Sequence, residues 1–200
     1  MKVRLLPTET DSAPAMGLEE SWLAVLGELA GISQTATQLA EFAHSAAERV
    51  RSLVGADYSL VHWWDSNRQS LRVVARSGNA GEVRSRGVGA DELARSCFAQ
   101  GELLTVEDLG TNGRKAASAA HGGLISVPLT LEGKAIGVLT LGSRARAWTP
   151  SRRDRELLRL IAAQIAPSMH AAKLIETSRA QAERFRVLHE VAVAAGGMLD

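Results

Sequence analysis

The sequence is short of cysteine, with one thiol, Cys97, in 200 residues. A single cysteine excludes a disulfide scaffold and every structural zinc site built on cysteine pairs, and it fits a reducing compartment. Net charge is equally scarce. With 23 Lys and Arg against 22 Asp and Glu, the formal charge is +1, which leaves no global electrostatic footprint for nucleic acid or an anionic membrane. No run of about 18 apolar residues is present, and the opening Met-Lys-Val-Arg-Leu-Leu-Pro lacks the apolar core of a signal peptide. The chain is therefore expected to be soluble and cytoplasmic, with no nucleic-acid partner and no direct membrane contact. Aromatic residues make up 4%, yet four are tryptophan, and two of these adjoin as Trp63-Trp64. What remains is ordinary globular material, 46% hydrophobic and 22% charged, which argues against wholesale disorder.

Along the chain, residues 1–17 are rich in Pro, Thr, Ser and Ala and read as a disordered lead-in. Leu23, Leu26 and Leu29 predict a helix over 18–30, stopped by Gly31. Over 35–54, Leu39, Phe42, Ala43, Ala46, Ala47 and Val50 form one apolar stripe, closed by Gly55. The period then changes. Tyr58–Trp64 reads as a strand, Asp65-Ser66-Asn67 as a turn, and Leu71–Ala75 as the antiparallel partner. After the glycine-rich stretch 77–90, Asp91 is placed to cap a short helix over 92–100. Leu103–Val106 is a short strand and 107–122 a polar, Ala-rich connection. Leu124–Leu131 and Ala135–Leu141 form a hairpin turning at Glu132-Gly133. Thr149-Pro150 is expected to cap and open a helix reaching about residue 195, kinked at Pro167. This order predicts an α+β fold with a central antiparallel sheet, helices on one face and loops with the short helix on the other. A Rossmann fold or a barrel would need strands and helices alternating throughout.

The order, with particular segments, resembles a GAF domain. The segments are Val54-Gly55-Ala56-Asp57 before a strand, Leu71-Arg72-Val73-Val74-Ala75, and Val127-Pro128-Leu129. Gly133-Lys134-Ala135-Ile136-Gly137-Val138-Leu139 and the Thr149-Pro150 helix start belong to the same set. The resemblance covers residues 18–176 and implies a pocket on one sheet face and dimerising helices on the other. It implies a small-molecule-sensing regulatory domain of a multidomain signal-transduction protein, a sensor histidine kinase by family frequency. Residues 177–200 then read as a signalling helix and linker. Phe185, Val187 and Leu188 echo Leu23, Val25 and Leu26, so 183–200 reads as the opening of a truncated following domain.

Alternation along the first strand puts Tyr58, Leu60, His62 and Trp64 on one face and Ser59, Val61 and Trp63 on the other. The first set mixes large rings with polar handles, the lining of concave ligand sites, although core filling accounts for it equally. Cys97 reads as half-buried on its helix, and Arg114, Lys115, Ser118 and His121 are placed to meet a polar or anionic ligand, or simply solvent. The candidate ligand-binding set is thus Tyr58, His62, Trp64, Cys97, Arg114 and His121. The ligand is an unidentified small molecule rather than a resident cofactor. A haem or bilin sensor and a spacer module with a filled pocket remain the alternatives. GAF-like enzymes that reduce free methionine sulfoxide need several cysteines, and one thiol cannot both attack and resolve, so no catalysis is expected. No His pair has metal-helix spacing, and the arginines around 144–159 interleave with acids as a solvated face. On the long helix, Leu158, Ile161, Ile165, Ser168, Ala172 and Ile175 follow three- and four-residue steps. They are expected to form the seam of a homodimer assembled through the N- and C-terminal helices.

Overall fold

The structure, a computed structural model, describes residues 38–78, 88–106, 123–143 and 151–196, and Ala24, Gly27 and Gly31 are also helical. The expected lead-in 1–17, the connection carrying Arg114 and His121, and Thr149-Pro150 lie outside the described residues. The elements are α1 (Leu39–Val54), β1 (Tyr58–Asp65), β2 (Ser70–Gly78), α2 (Val88–Gln100), β3 (Leu104–Val106), β4 (Gly123–Leu131), β5 (Lys134–Ser143) and α3 (Arg152–Gly196). The five strands make one antiparallel sheet in the order β2-β1-β5-β4-β3. The expected α+β fold with its central antiparallel sheet and long C-terminal helix is the one observed.

Local chemistry accounts for the element ends. The six residues of the α1 stripe are its buried residues, and Gly55 terminates it in the left-handed region at φ 65°. The Ala56 amide then closes back on the Arg51 carbonyl at 3.0 Å, satisfying one of the helix's last acceptors. In the β1–β2 turn, the Asp65 carboxylate accepts the amides of Asn67 and Arg68 at 3.0 and 3.2 Å. The β4–β5 turn has φ 50° at Glu132 and 78° at Gly133, the pair of positive values that a tight two-residue hairpin requires. The α3 cap falls on Ser151, later than the Thr149 expectation. Ser151 Oγ accepts the Asp154 amide at 3.1 Å, and the Asp154 carboxylate accepts the Ser151 amide at 2.9 Å, a reciprocal capping box. From there α3 runs 45 residues, continuous through Pro167. The short helix α2 starts at Val88, so Asp91 lies within its first turn rather than before it.

The sheet separates two cores. On one face, α1 and α3 bury Phe42, Ile161, Ile165 and Met169 against Val61, Val127, Leu139 and Leu141. On the other, α2 sets Ala90 on Tyr58, Leu60 and Leu124, and Ala94 and Cys97 on Val138. This arrangement corrects the expected dimer seam. Leu158, Ile161, Ile165 and Ala172 are buried within the chain itself, because α3 lies along the sheet over its first turns. The same three- and four-residue steps serve packing on a sheet as well as packing on a second helix. The large apolar side chains that α3 does expose are Leu160, Leu174, Ile175, Phe185, Val187, Leu188 and Val191. Among the described residues, no helix is long and apolar enough to cross a membrane.

Candidate functional site

Tyr58, His62 and Trp64 share the sheet face covered by α2, as the period of two requires, because β1 and β5 pair without interruption from Tyr58 to Trp63. The register slip against β2, between Val61 and His62, is taken up by one extra residue on β2 and leaves the alternation of β1 intact. Each of the three side chains meets a different partner.

The Tyr58 ring lies over Gly142 on the neighbouring strand, so close that a Cβ at 142 would overlap the ring. Glycine there makes room for a flat phenol in the core, with Leu60, Ala90 and Leu124 around it. Trp64 stacks on Phe98 of α2, with ring centroids 4.8 Å apart and 18° between planes. His62, only 3% exposed, is the polar centre of the face. Its Nε2 lies 3.2 Å from Asp91 Oδ1 on α2, and its Nδ1 is buried with no hydrogen-bond partner in the protein. The Val138 backbone also favours the protonated ring, because with Nε2 donating to Asp91 the neutral ring has no proton on Nδ1 to donate. Burial is the larger influence. It holds the imidazole pKa below its ordinary value, against the hydrogen bond and charge of Asp91, which favour protonation. Deeper on the same face, Ser126 and Thr140 hydroxyls satisfy each other at 2.9 Å, both fully buried.

Cys97 is fully rather than half buried, packed with Ala94 and Val138. Burial pushes its pKa up to about 12, and the Leu104 backbone offsets this only in part. A neutral thiol inside a packed helix–sheet contact is neither a nucleophile nor an open attachment point. A bilin thioether on Cys97 would require α2 to leave the sheet, so the residues present do not fit that group. Among the described residues, no cluster of three or more His, Cys, Asp or Glu is arranged to hold a metal ion.

The structure therefore brings Tyr58, His62, Trp64 and Cys97 to one helix–sheet layer, and it adds two residues the sequence did not single out for the site. Asp91 was legible only as a cap, because its contact with His62 spans 29 positions. Phe98 meets Trp64 across 34 positions of chain. No local spacing announces either contact.

Comparison with known proteins places this geometry. The family model for the GAF domain matches residues 38–169. No curated protein matches the chain. Among solved structures, the GAF domain from an Acinetobacter phosphoenolpyruvate-protein phosphotransferase superposes with a TM-score of 0.62 at 17% identity, covering 78% of this chain and 97% of that one. The GAF domain of a protein assigned as a sensor histidine kinase from Pseudomonas syringae pv. tomato gives 0.59 at 19%, covering 81% and 95%. The free methionine-R-sulfoxide reductase from Neisseria meningitidis, solved with its substrate, gives 0.60 at 19%, covering 84% and 98%. At these identities the likeness is one of fold alone. Sheet order, the helices on both faces and the family match together establish that the chain belongs to the GAF domain family.

Proposed function

We propose that this chain is the small-molecule-sensing module of a cytoplasmic multidomain signalling protein, a sensor histidine kinase or a relative of one. The observation that carries the proposal is His62. An imidazole nitrogen buried without a partner costs on the order of 1–3 kcal/mol. His62 carries that cost at a point where its other nitrogen already holds Asp91, a residue 62% exposed on the helix that covers the face. A ligand entering between α2 and the sheet supplies a hydrogen-bonding group to Nδ1. It alters the His62–Asp91 and Trp64–Phe98 contacts together, which shifts the seating of α2.

The output path in this reading is α3, acting in a homodimer. Leu160, Ala171, Leu174, Phe185 and Leu188 fall on one exposed stripe opposite the buried one, with Gln164, Pro167, Ser178 and Gln181 filling the four- and three-residue steps between them. Past the last buried residue, Ala172, Leu174, Phe185 and Leu188 continue this stripe and suit pairing with an identical helix. The charged pair Arg186–Glu183 lies away from that stripe, at 2.6 Å on the solvent side. The reductase likeness carries no activity here, since the one thiol is raised to about 12, opposite to what an attacking thiolate needs.

A second reading has an observation of its own. Tyr58 and Leu60 are packed by α2, and Trp64 is stacked on Phe98, as a spacer module with a filled pocket would have them. A thermal-shift screen against a metabolite library separates the two. The sensor reading expects a saturable rise in Tm that His62→Gln abolishes while the variant stays folded. No compound shifting the melt across the library favours the spacer.

A further inference from the structure

A concavity opens on the opposite face of the sheet at its β1–β2 edge, meeting the His62 layer only at Trp64 and Val73. It is a cleft of about 410 Å³ between the tip of the β1–β2 hairpin, the first residues of α1, and α3 at Lys173 and Glu176. That volume falls in the roughly 300–1,000 Å³ range of small-molecule sites. Trp63 and Arg72 are paired across β1 and β2 and form one wall. The opposite wall comes from α3 at its last contacts with the domain, since every described side chain beyond Glu176 is exposed.

The hydrogen-bond inventory of this cleft is lopsided. Its acids are already occupied. Asp65 accepts two backbone amides and the guanidinium of Arg72 at 3.5 Å, and these contacts hold its carboxyl below the usual range. Glu176 accepts from Lys173 at 3.1 Å and from the Leu39 amide at 3.4 Å. The cations are not exhausted. Arg72 offers five N–H donors and Lys173 three, and each meets one carboxylate here. A cleft with a partly buried indole wall and spare cationic donors calls for an acceptor-bearing flat molecule.

We propose that this cleft binds a small aromatic carboxylate, its ring against Trp63 and its carboxylate between Arg72 and Lys173. Bidentate recognition by Arg72 fixes the carboxylate plane, and the indole selects an aromatic body over an aliphatic one. Because Lys173 belongs to α3 and Arg72 to the sheet, the bound anion ties the helix to the sheet at its point of departure. The cleft shares Trp64 with the His62 layer but does not include His62, so a substitution at His62 separates the two proposals and either can fail without the other.

The test is isothermal titration of the 200-residue chain with benzoate, 4-hydroxybenzoate and indole-3-acetate, with benzamide, benzylamine and acetate as controls. The expected result is saturable binding of at least one aromatic acid, at least tenfold tighter than the controls. Arg72→Gln, Lys173→Met and Trp63→Leu should each weaken it tenfold or more, Arg72→Lys should weaken it less, and His62→Gln should leave it unchanged. Far-UV melts of each variant establish that it is folded. Three results overturn the proposal: no saturable heat with any of the three acids, equal affinity for benzoate and benzamide, or loss of binding in His62→Gln with retention in Arg72→Gln.

Discussion

His62 and Asp91 form a hydrogen bond at 3.2 Å between a side chain 3% exposed and one 62% exposed. The pair joins the centre of the sheet to the water-facing side of α2. Burial lowers the His62 pKa, so the folded state resists taking the proton that the unfolded chain accepts near 6.5. The stability contribution of neutral His62 is thus complete above pH 6.5 and is lost as pH falls through that value toward the lower folded pKa. Urea midpoints measured from pH 7.5 down to pH 5 should fall over this window, and His62→Gln should flatten that part of the curve. An identical slope in the variant would show that other groups set it. Arg76 also disfavours the imidazolium, and Asp91 favours it. Asp91→Asn should therefore move the NMR titration of His62 to still lower pH.

Cys97 should be silent in the native protein. With its pKa pushed up to about 12, less than one thiol in a thousand is ionised at pH 8. A disulfide reagent such as DTNB is expected to label the chain only as fast as α2 opens, and promptly in urea. Stoichiometric labelling within the mixing time of the native protein would mean that Cys97 is accessible.

The Trp64–Phe98 stack can be measured directly. Stacked aromatic pairs contribute about 0.5–1.5 kcal/mol beyond the area they bury. A double-mutant cycle over Trp64→Leu and Phe98→Leu, read by urea unfolding, is expected to give a coupling energy in that range. Additive effects would leave the stack as packing without specific geometry.

The two sides of α3 should respond to different assays. Ile165 is fully buried, and Ile165→Ala is expected to cost about 2–5 kcal/mol in urea denaturation. Leu174→Glu and Leu188→Glu alter side chains 58% and 64% exposed, so the monomer fold should hold while light scattering shows dimer converting to monomer. A wild type that is already monomeric would remove the dimer from the proposed mechanism.

Most of the fold was legible because it rests on short-range signals. The α1 stripe with Gly55 at its end, the Glu132-Gly133 turn and the alternation of β1 are each decided within about ten residues of chain. The sequence was less informative where one local pattern suits two surroundings. The steps through Leu158, Ile161 and Ile165 are equally those of a dimer seam and of a helix lying on its own sheet, and only the length of sheet beneath α3 decides between them. The cap of α3 falls on Ser151 because Asp154 lies three residues on and returns the bond, whereas Thr149 has Arg152 at that position. At the candidate site, periodicity placed Tyr58, His62 and Trp64 on one face. Their partners Asp91 and Phe98 come from a helix whose docking no sequence spacing encodes.

The buried and exposed stripes of α3 sit on one uninterrupted rod, which gives the chain a mechanical phase. A twist imposed at Ala172, past Pro167, reaches Leu188 with its angle preserved, because hydrogen bonds between successive turns leave little slack. Seven, eleven or eighteen residues make whole turns to within about 20°, so the spacing between the sheet and the exposed stripe can change by those lengths without mis-timing the two stripes. Insertions past Glu176 thus carry their own arithmetic: a heptad is silent, whereas a single residue rotates everything downstream by about 100°.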